Sequence, residues 1–268
     1  MIDNDGEFKS YIRYFEDVKP ELSYIEHDVT SFCNLKCRNC GHKSDLVTKL
    51  DKTNREEFEK SFETLNRLFS NIRRIRLMGG EPFVVDDLDW YISTARSYFP
   101  NSELCIVTNG LLIPKVNDRI LKSIRNNNAI IQISQYPPTR NQIDLITEKI
   151  YEYDLRLQIG KPIEYFMERI NREPEFDEMY KSIFANCASA HCHTLKNGKL
   201  MMCGAIPTIC EMLEKQTACK GSYQDNTIDL LGQINISGWD ALELLERANK
   251  LCGYCPMEHK WVKWESTL

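Results

Sequence analysis

The stretch Cys33-Asn34-Leu35-Lys36-Cys37-Arg38-Asn39-Cys40 decides how the rest of this sequence is interpreted. It directly follows Tyr24 to Val29, an apolar-rich run that predicts the first β-strand. The three cysteines therefore share one loop at the carboxyl end of that strand, and cysteine thiolates are the usual ligands of iron–sulfur clusters. Three local ligands leave one iron of a four-iron cluster open to an outside ligand. A structural zinc site with His42 as its fourth ligand is the alternative.

The composition is that of an ordinary globular protein of 268 residues, which is long enough to bury a sizeable core. A formal net charge of -5, with both signs mixed along the chain, argues against an extended nucleic-acid surface. The N-terminus lacks the features of a signal peptide, and no apolar run is long enough to span a bilayer. We therefore expect a cytoplasmic protein with no membrane or nucleic-acid partner. Eleven cysteines in a reducing compartment favour metal ligation over disulfides.

From about residue 23 to residue 160, short apolar runs alternate with longer amphipathic runs, which is typical of β/α units around a parallel sheet. Apolar residues at helical spacing between residues 58 and 69 predict the first helix. Thr53 and Glu56 form a capping-box pattern at its start. The later strand candidates are Arg74 to Met78, Leu104 to Val107, Ile130 to Ser134 and Leu155 to Ile159.

Short motifs follow these strand candidates in order. Each is weak alone, because such turns arise often by chance, but four in order after predicted strands make a strong signal. Glycine in such a turn permits a close approach of the backbone to a ligand. The motifs are Gly79-Gly80-Glu81-Pro82, Thr108-Asn109-Gly110, Gln132 with Ser134, and Ile159 with Gly160.

Together with the cysteine loop, these motifs resemble the radical S-adenosylmethionine (radical SAM) superfamily over roughly the first 160 residues. The resemblance implies an α/β fold, a partial (β/α)5-6 TIM-like barrel. It also implies that Cys33, Cys37 and Cys40 hold a first 4Fe–4S cluster. The family often carries an aromatic residue before the third cysteine, where this sequence has Asn39.

The resemblance further implies contacts to S-adenosylmethionine. The second-strand turn is expected to receive the methionyl amino group, the fourth strand to contact the ribose, and the end of the fifth strand to line the adenine. The residues implied are Gly79, Gly80, Glu81, Pro82, Asn109, Gln132, Ser134, Ile159 and Gly160.

The C-terminal third is rich in cysteine, and we place a domain boundary between residues 1–185 and residues 186–268. Asn197-Gly198 predicts a hairpin turn that presents Cys203 beside the earlier cysteines. The pattern resembles a small SPASM/twitch subdomain with a second 4Fe–4S cluster, and a zinc site is the alternative. The implied ligands are Cys187, Cys203, Cys252 and Cys255, with Cys192 as an alternative; Cys210 and Cys219 are left outside the set.

The resemblance implies reductive cleavage of S-adenosylmethionine to a 5′-deoxyadenosyl radical that abstracts a substrate hydrogen, with flavodoxin or ferredoxin as electron donor. We expect an oxidoreductase that oxidises or epimerises a carbohydrate or cyclitol. An enzyme that modifies a peptide would be expected to carry an N-terminal module that holds the leader peptide, and only about twenty residues precede the first strand. A ribosomal peptide maturase is one alternative, and a non-catalytic metal-cluster binding protein is another. No catalytic residue is singled out. Trp261 and Trp264 are expected to cover the second cluster or to pack the tail.

Overall fold

The computed structural model describes residues 18–168, 170, 179–214, 227–258 and 260–266. Cys219 lies outside these residues. The helices are α1 (Arg55–Leu68), α2 (Leu88–Tyr98), α3 (Asp118–Asn126), α4 (Pro137–Arg140), α5 (Ile143–Glu152), α6 (Tyr180–Ala185), α7 (Ala205–Glu214) and α8 (Gly238–Leu245). The strands are β1 (Glu21–Thr30), β2 (Asn71–Gly79), β3 (Glu103–Thr108), β4 (Ile130–Gln135), β5 (Arg156–Pro162), β6 (Tyr165–Met167), β7 (Thr194–Lys196), β8 (Lys199–Met201), β9 (Thr227–Asp229) and β10 (Trp261–Lys263).

The main sheet has the strand order β5-β4-β3-β2-β1-β7-β8-β9. Every neighbouring pair from β5 to β1 is parallel, which is the arrangement that β/α units produce. The prediction of an α/β fold with a largely parallel, partial TIM-like sheet is confirmed. Among the described helices, none has both the length and the apolar character needed to cross a bilayer.

The two faces of the parallel strands differ in chemistry. Side chains alternate between the faces of a strand, and the apolar members Ile25, Ile75, Ile106 and Ile131 pack in one core with helices α1, α2, α3 and α5. The residues between them, such as Glu26, lie on the opposite face. The polar residues of these strands therefore line the face that these four helices leave free.

The first helix begins one residue later than the capping-box pattern predicts. Asn54 is the N-cap, and its side chain accepts hydrogen bonds from the amides of Glu56 and Glu57. The Thr53 hydroxyl donates instead to the carbonyl of Asp28, 3.0 Å away, so it is used to hold the loop before the helix to β1. The predicted capping role of Thr53 is wrong for this reason.

The C-terminal region continues the same sheet. Strand β7 pairs in parallel with β1, and β7 and β8 form the predicted hairpin, with Asn197 and Gly198 at positive φ. The rest of this region has a separate apolar cluster, in which α6 and α7 pack against a 3-10 turn at Lys250–Tyr254. The domain boundary between residues 185 and 186 stays a prediction.

Candidate active site at the carboxyl edge of the sheet

The loop that carries the first three cysteines is compact. Cys33 and Cys37 are buried, and Cys40 is partly exposed. The amide of Leu35 donates to the Cys33 sulfur at 3.4 Å, and the amide of Cys40 donates to the carbonyl of Cys37 at 3.3 Å. Asn39 has a φ of 59°, a conformation that asparagine adopts more readily than most residues. The three cysteines thus belong to one small apolar cluster at the end of β1.

Two glycines bring the end of β2 against this loop. The amide of Gly80 donates to the carbonyl of Thr30 at 2.8 Å. A Cβ at Gly80 would lie 2.0 Å from the carbonyl oxygen of Phe32, and a Cβ at Gly79 would lie 2.2 Å from that of Thr30. Only glycine permits this approach, so the two glycines fix the cysteine loop to β2.

Glu81 links this turn to the end of β3. Its carboxylate accepts hydrogen bonds from the Thr108 hydroxyl at 2.7 Å, from the Asn109 amide at 2.9 Å and from the Phe83 amide at 3.1 Å. Burial raises the pKa of Glu81 to about 7, although these hydrogen bonds act to lower it. The carboxylate is therefore held in one orientation by its neighbours.

Asn109 completes the connection back to the cysteines. Its side-chain amide donates to Oδ1 of the Asn34 side chain at 2.7 Å and lies 3.8 Å from the Cys33 sulfur. The structure therefore brings together the cysteine loop, Gly80, Glu81 and Asn109, as the sequence motifs predict. Their roles in holding a cofactor stay predictions.

The remaining predicted cofactor contacts lie further along the sheet. Ser134 and Gly160 are partly exposed near the ends of β4 and β5, and the Gly160 carbonyl accepts from Gln135. Ile159 is 42% exposed. Gln132 is engaged by the protein itself, since its side-chain oxygen accepts a hydrogen bond from Arg76 at 2.8 Å. The cofactor contacts expected at these four positions stay predictions.

A polar network runs across the face of the sheet opposite the helices. Arg76 on β2 donates to the Tyr24 hydroxyl at 2.8 Å as well as to Gln132 on β4. The Tyr24 hydroxyl donates to one oxygen of Glu26 at 3.0 Å, and Thr194 on β7 donates to the other at 2.9 Å. Sequence reasoning missed this network, although the alternation of polar and apolar residues in these strands is the signal that indicates it.

Asp28 extends this polar face towards the cysteine loop. One carboxylate oxygen lies 3.3 Å from Nδ1 of His42. The other is buried and has no hydrogen-bond partner among the described residues. Burial acts to raise the pKa of Asp28, but His42 holds it below its usual value, and Asp28 in turn raises the pKa of His42 to about 9. His42 is thus paired with a carboxylate.

Tyr136, Phe166 on β6 and Trp264 after β10 cover the cysteine loop. Trp264 donates its indole N–H to the Cys37 sulfur, with 3.2 Å between nitrogen and sulfur, and stacks on Tyr136. Phe166 packs edge-on against Tyr136. The expectation that Trp264 covers the second cysteine group or merely packs the tail is therefore wrong, because the chain end returns to the first group.

The second group of cysteines is assembled from distant parts of the chain. Cys203 and Cys252 are buried in one apolar cluster, and Cys255 packs against it. Burial raises the pKa of Cys203 to about 12, and Cys252 and Cys187 raise it further through their charge. Cys187, Cys203 and Cys252 are therefore neighbours, with Cys255 beside them.

The other candidates in this region have different surroundings. Cys192 is partly exposed, and its amide donates to the Ser189 carbonyl. Cys210 is buried on α7 within the same apolar cluster as Cys203. Nδ1 of the buried His193 lies 3.0 Å from the Met202 carbonyl, and His191 pairs with Glu246. Cys187, Cys203, Cys252 and Cys255, with Cys192 as the alternative, stay the predicted ligand set.

The donor chemistry of the first group fits an iron–sulfur cluster. Burial raises the pKa of Cys33 to about 12 and that of Cys37 to about 11, so that the free thiols are protonated at neutral pH and iron binding releases their protons. In the described part of the chain, no three His, Cys, Asp or Glu side chains surround a single-ion position. A cubane cluster does not require one, because each cysteine binds a different iron.

Residues 28–159 match the family model described as the Radical SAM superfamily. Over these residues, the chain belongs to the radical SAM superfamily. The superfamily implies S-adenosylmethionine and a 4Fe–4S cluster, and radical SAM proteins are enzymes. The match begins in β1 and ends in β5, so it spans the radical SAM cysteine loop and the turns after β2, β3 and β4.

The curated relatives of this radical SAM chain include two bacterial proteins named GTP 3',8-cyclase. That of Sulfurovum sp. (strain NBC37-1) is 27% identical over 143 residues, which are 52% of this chain and 44% of the relative. That of Nautilia profundicola is 29% identical over 146 residues, which are 52% of this chain and 45% of the relative. The chain spans less than half the length of these relatives.

Two solved structures with bound AdoMet resemble the chain more weakly in sequence. BtrN in complex with AdoMet and 2-DOIA has a TM-score of 0.49 and 16% identity, covering 89% of this chain and 94% of that one. Native anSMEcpe with bound AdoMet has a TM-score of 0.40 and 21% identity, covering 52% of this chain and 44% of that one.

Proposed function

We propose that this radical SAM enzyme oxidises or epimerises a small, hydroxyl-rich molecule of the carbohydrate or cyclitol class. The observation that carries the proposal is the polar network on the open face of the sheet, next to the cysteine loop. Bound S-adenosylmethionine and a reduced 4Fe–4S cluster would supply hydrogen-atom abstraction by a 5′-deoxyadenosyl radical. The protein's own residues have to bind and orient the substrate.

The cofactor side of the site is rigid in this proposal. Cys33, Cys37 and Cys40 hold the first cluster, and the glycines after β2 let the backbone approach the methionyl end of the cofactor. Glu81 is fixed by hydrogen bonds from Thr108 and from two backbone amides. Such fixed neighbours favour one cofactor geometry, which a reactive radical requires to avoid side reactions.

The substrate side supplies both a hydrogen-bond donor and an acceptor. Nε of Arg76 is buried without a partner among the described residues, and so is one oxygen of Asp28. A polyol or amino polyol satisfies both, because each hydroxyl donates and accepts. On this face the carboxylates of Glu26 and Asp28 are balanced by Arg76 and by His42, whose pKa Asp28 raises to about 9, so there is no excess of positive charge to bind a polyphosphate. This charge balance supports an uncharged or amine-bearing substrate over a nucleoside triphosphate.

We assign the second cysteine group to a twitch-like subdomain within residues 186–268. Cys187, Cys203, Cys252 and Cys255 hold a second 4Fe–4S cluster in this proposal, and it would supply a one-electron acceptor or an anchor for the substrate. Cys203 and Cys252 are buried in one apolar cluster with Cys255 packed against it, and Cys187 lies near Cys203, which supports the assignment. Flavodoxin or ferredoxin is the proposed electron donor.

The test is anaerobic reconstitution followed by incubation with dithionite, S-adenosylmethionine and panels of aminocyclitols, sugars and short peptides. We expect 5′-deoxyadenosine formation to rise with a polyol, and deuterium from labelled polyol carbons to appear in it. Stimulation by peptides alone would replace the proposal with ribosomal peptide maturation. No 5′-deoxyadenosine from a fully reduced cluster would instead favour a non-catalytic cluster protein.

Arg76→Gln tests whether the polar face of the sheet, here named the substrate face, binds the substrate. Arg73→Gln on the same strand is the control. Arg73 is exposed, and among the described residues it pairs with Glu21, near the start of β2. We expect Arg76→Gln to lower kcat/KM for the polyol by roughly 10- to 100-fold, from the loss of charged hydrogen bonds, while substrate-free cofactor cleavage persists. Equal effects of the two substitutions would count against the proposed substrate face.

A further inference from the structure

The end of the described chain clasps the first cysteine loop. Ser266 forms an isolated antiparallel bridge with Cys37, and the amide of Arg38 donates to the carbonyl of Glu265 at 2.9 Å. The side chains of Arg38 and Glu265 form an ion pair at 2.8 Å. Residues 264–266, here named the clasp, therefore run alongside the loop. The Trp264 indole is the clasp side chain that reaches a cysteine sulfur.

Trp264 is also fixed from its other side. Strand β10 pairs with β6, and the Trp264 amide donates to the carbonyl of Glu164 at 2.8 Å. The ring stacks on Tyr136 with 6.0 Å between centroids and an angle of 26° between planes. The indole thus has backbone and ring neighbours that set its position independently of the cysteine.

The contact between Trp264 and Cys37 has one chemical polarity. An indole nitrogen is a donor only, so the 3.2 Å contact is an N–H···S hydrogen bond with the Cys37 sulfur as acceptor. Cys37 is buried, and the aromatic rings of Trp264 and Tyr136 lie in the same apolar cluster. Hydrogen bonds to cluster sulfurs and exclusion of water are two of the factors that set the reduction potential of an iron–sulfur site.

We infer that Trp264 is a positioning residue of the first cluster, whose indole N–H binds the Cys37 sulfur in the loaded enzyme and raises the reduction potential there. A reduced cluster carries more negative charge on its sulfurs, so the hydrogen bond stabilises the reduced form more than the oxidised form. This inference rests on the proposed function in that it takes Cys37 as an iron ligand.

The test compares the holoenzyme with Trp264→Phe and Trp261→Phe. Phenylalanine at 264 keeps a ring on Tyr136 but removes the donor, and Trp261 lies on β10 and is 64% exposed. The first cluster is followed by redox titration of the part of its paramagnetic signal that changes when S-adenosylmethionine is added. We expect a more negative midpoint potential for Trp264→Phe and an unchanged one for Trp261→Phe.

A second measurement does not depend on the folding of a variant. In the wild-type holoenzyme labelled with 15N at the tryptophan indole, we expect a nitrogen coupling to the reduced cluster. Absence of that coupling, or an unchanged potential in an iron-replete Trp264→Phe enzyme, overturns the inference alone. A wild-type protein that binds no cluster iron at the first site overturns the proposed function and the inference with it.

Discussion

The two cysteine groups of this chain are built in opposite ways. Cys33, Cys37 and Cys40 lie within one loop, so their proximity follows from the local chain and from the end of β1. Cys187, Cys203 and Cys252 lie far apart in sequence and meet only where α6, α7 and the turn at Lys250–Tyr254 pack together. The first group therefore depends on a loop conformation, whereas the second depends on tertiary packing.

This difference predicts that the groups respond separately to substitution. A change in the first loop should leave the second group in place, because the two share no ligand and have separate apolar clusters. A change in the second group should leave cofactor binding at the first group in place. The clasp, which returns from the second region to the first loop, is the exception to this independence.

The largest expected effect is that of the triple substitution Cys33→Ala, Cys37→Ala, Cys40→Ala. Cleavage of S-adenosylmethionine should fall to the level of a protein-free control, because the open iron is lost. The protein should retain about four of about eight irons, held by the second group. Iron and sulfide analysis of the anaerobically reconstituted proteins checks this, and retention of zinc in place of iron would contradict the second-cluster assignment.

Gly80→Ala tests how strictly the loop conformation controls the first group. The added Cβ would meet the Phe32 carbonyl oxygen at 2.0 Å, so the backbone of the loop must move. We expect a loss of about 1–3 kcal/mol in the free energy of unfolding and weaker cofactor binding, with the irons of the second group retained. Denaturant titration and cofactor-binding isotherms measure these effects.

Gly232→Ala is the matched control for that substitution. The nearest atoms to its added Cβ belong to Asp229 and lie 3.7 to 3.8 Å away, which is ordinary contact. We expect its free energy of unfolding to stay within about 0.5 kcal/mol of the wild type. If both alanine variants bind the cofactor normally, the close approach of β2 to the loop is not what organises the first group.

A comparison of Cys203→Ala with Cys210→Ala tests the second cysteine group. Both thiols are buried in the same cluster, at 8% and 5% exposure, but Cys203 has Cys187 and Cys252 as neighbouring thiols. We expect Cys203→Ala to lose the second cluster while the first remains, and Cys210→Ala to keep both at a stability cost of about 1 kcal/mol. Equal iron loss from both variants would indicate damaged packing instead of a lost ligand.

Local patterns predict much of this molecule. The β/α rhythm gave the order and approximate extent of β1 to β5, because apolar residues at periods of 2 and 3.6 face a common core. The Asn197-Gly198 turn was predictable because both residues tolerate positive φ. The cysteine loop and the turns that meet it follow from residues close in sequence.

Contacts between distant segments were not predictable in the same way. Trp264 and Cys37 are separated by 227 positions, and no local period links them. The network from Tyr24 to Gln132 requires knowledge of which strands are neighbours before the polar residues can be paired. Which cysteines form the second group also depends on packing. Cys210 is buried in the same cluster as Cys203, and sequence spacing alone does not separate the two.

The junction between the two regions lies where β1 meets β7. His27 on β1 is buried, its Nδ1 lies 3.0 Å from the carbonyl of Leu195, and its Nε2 has no partner among the described residues. Burial lowers the pKa of His27 to about 4, although the charge of Asp28 acts to raise it. His27 is therefore neutral in the folded protein, and its Nδ1–H donates to β7.

The last expected effect is on the pH dependence of this junction. In the unfolded chain, His27 gains a proton below about pH 6.5, whereas in the folded protein it does so only near pH 4. Its contribution to stability is therefore present above pH 6.5 and is lost as the pH falls from about 6.5 to about 4. Between pH 7 and pH 5 we expect about 2 kcal/mol of wild-type stability to be lost through this group. His27→Asn keeps a donor for Leu195 but cannot titrate, so its stability should fall less over the same interval. Denaturant titrations of the apoprotein at both pH values measure the difference, with the exposed His191→Asn as control. Parallel curves for the wild type and His27→Asn would mean that the two regions are not joined through a neutral histidine.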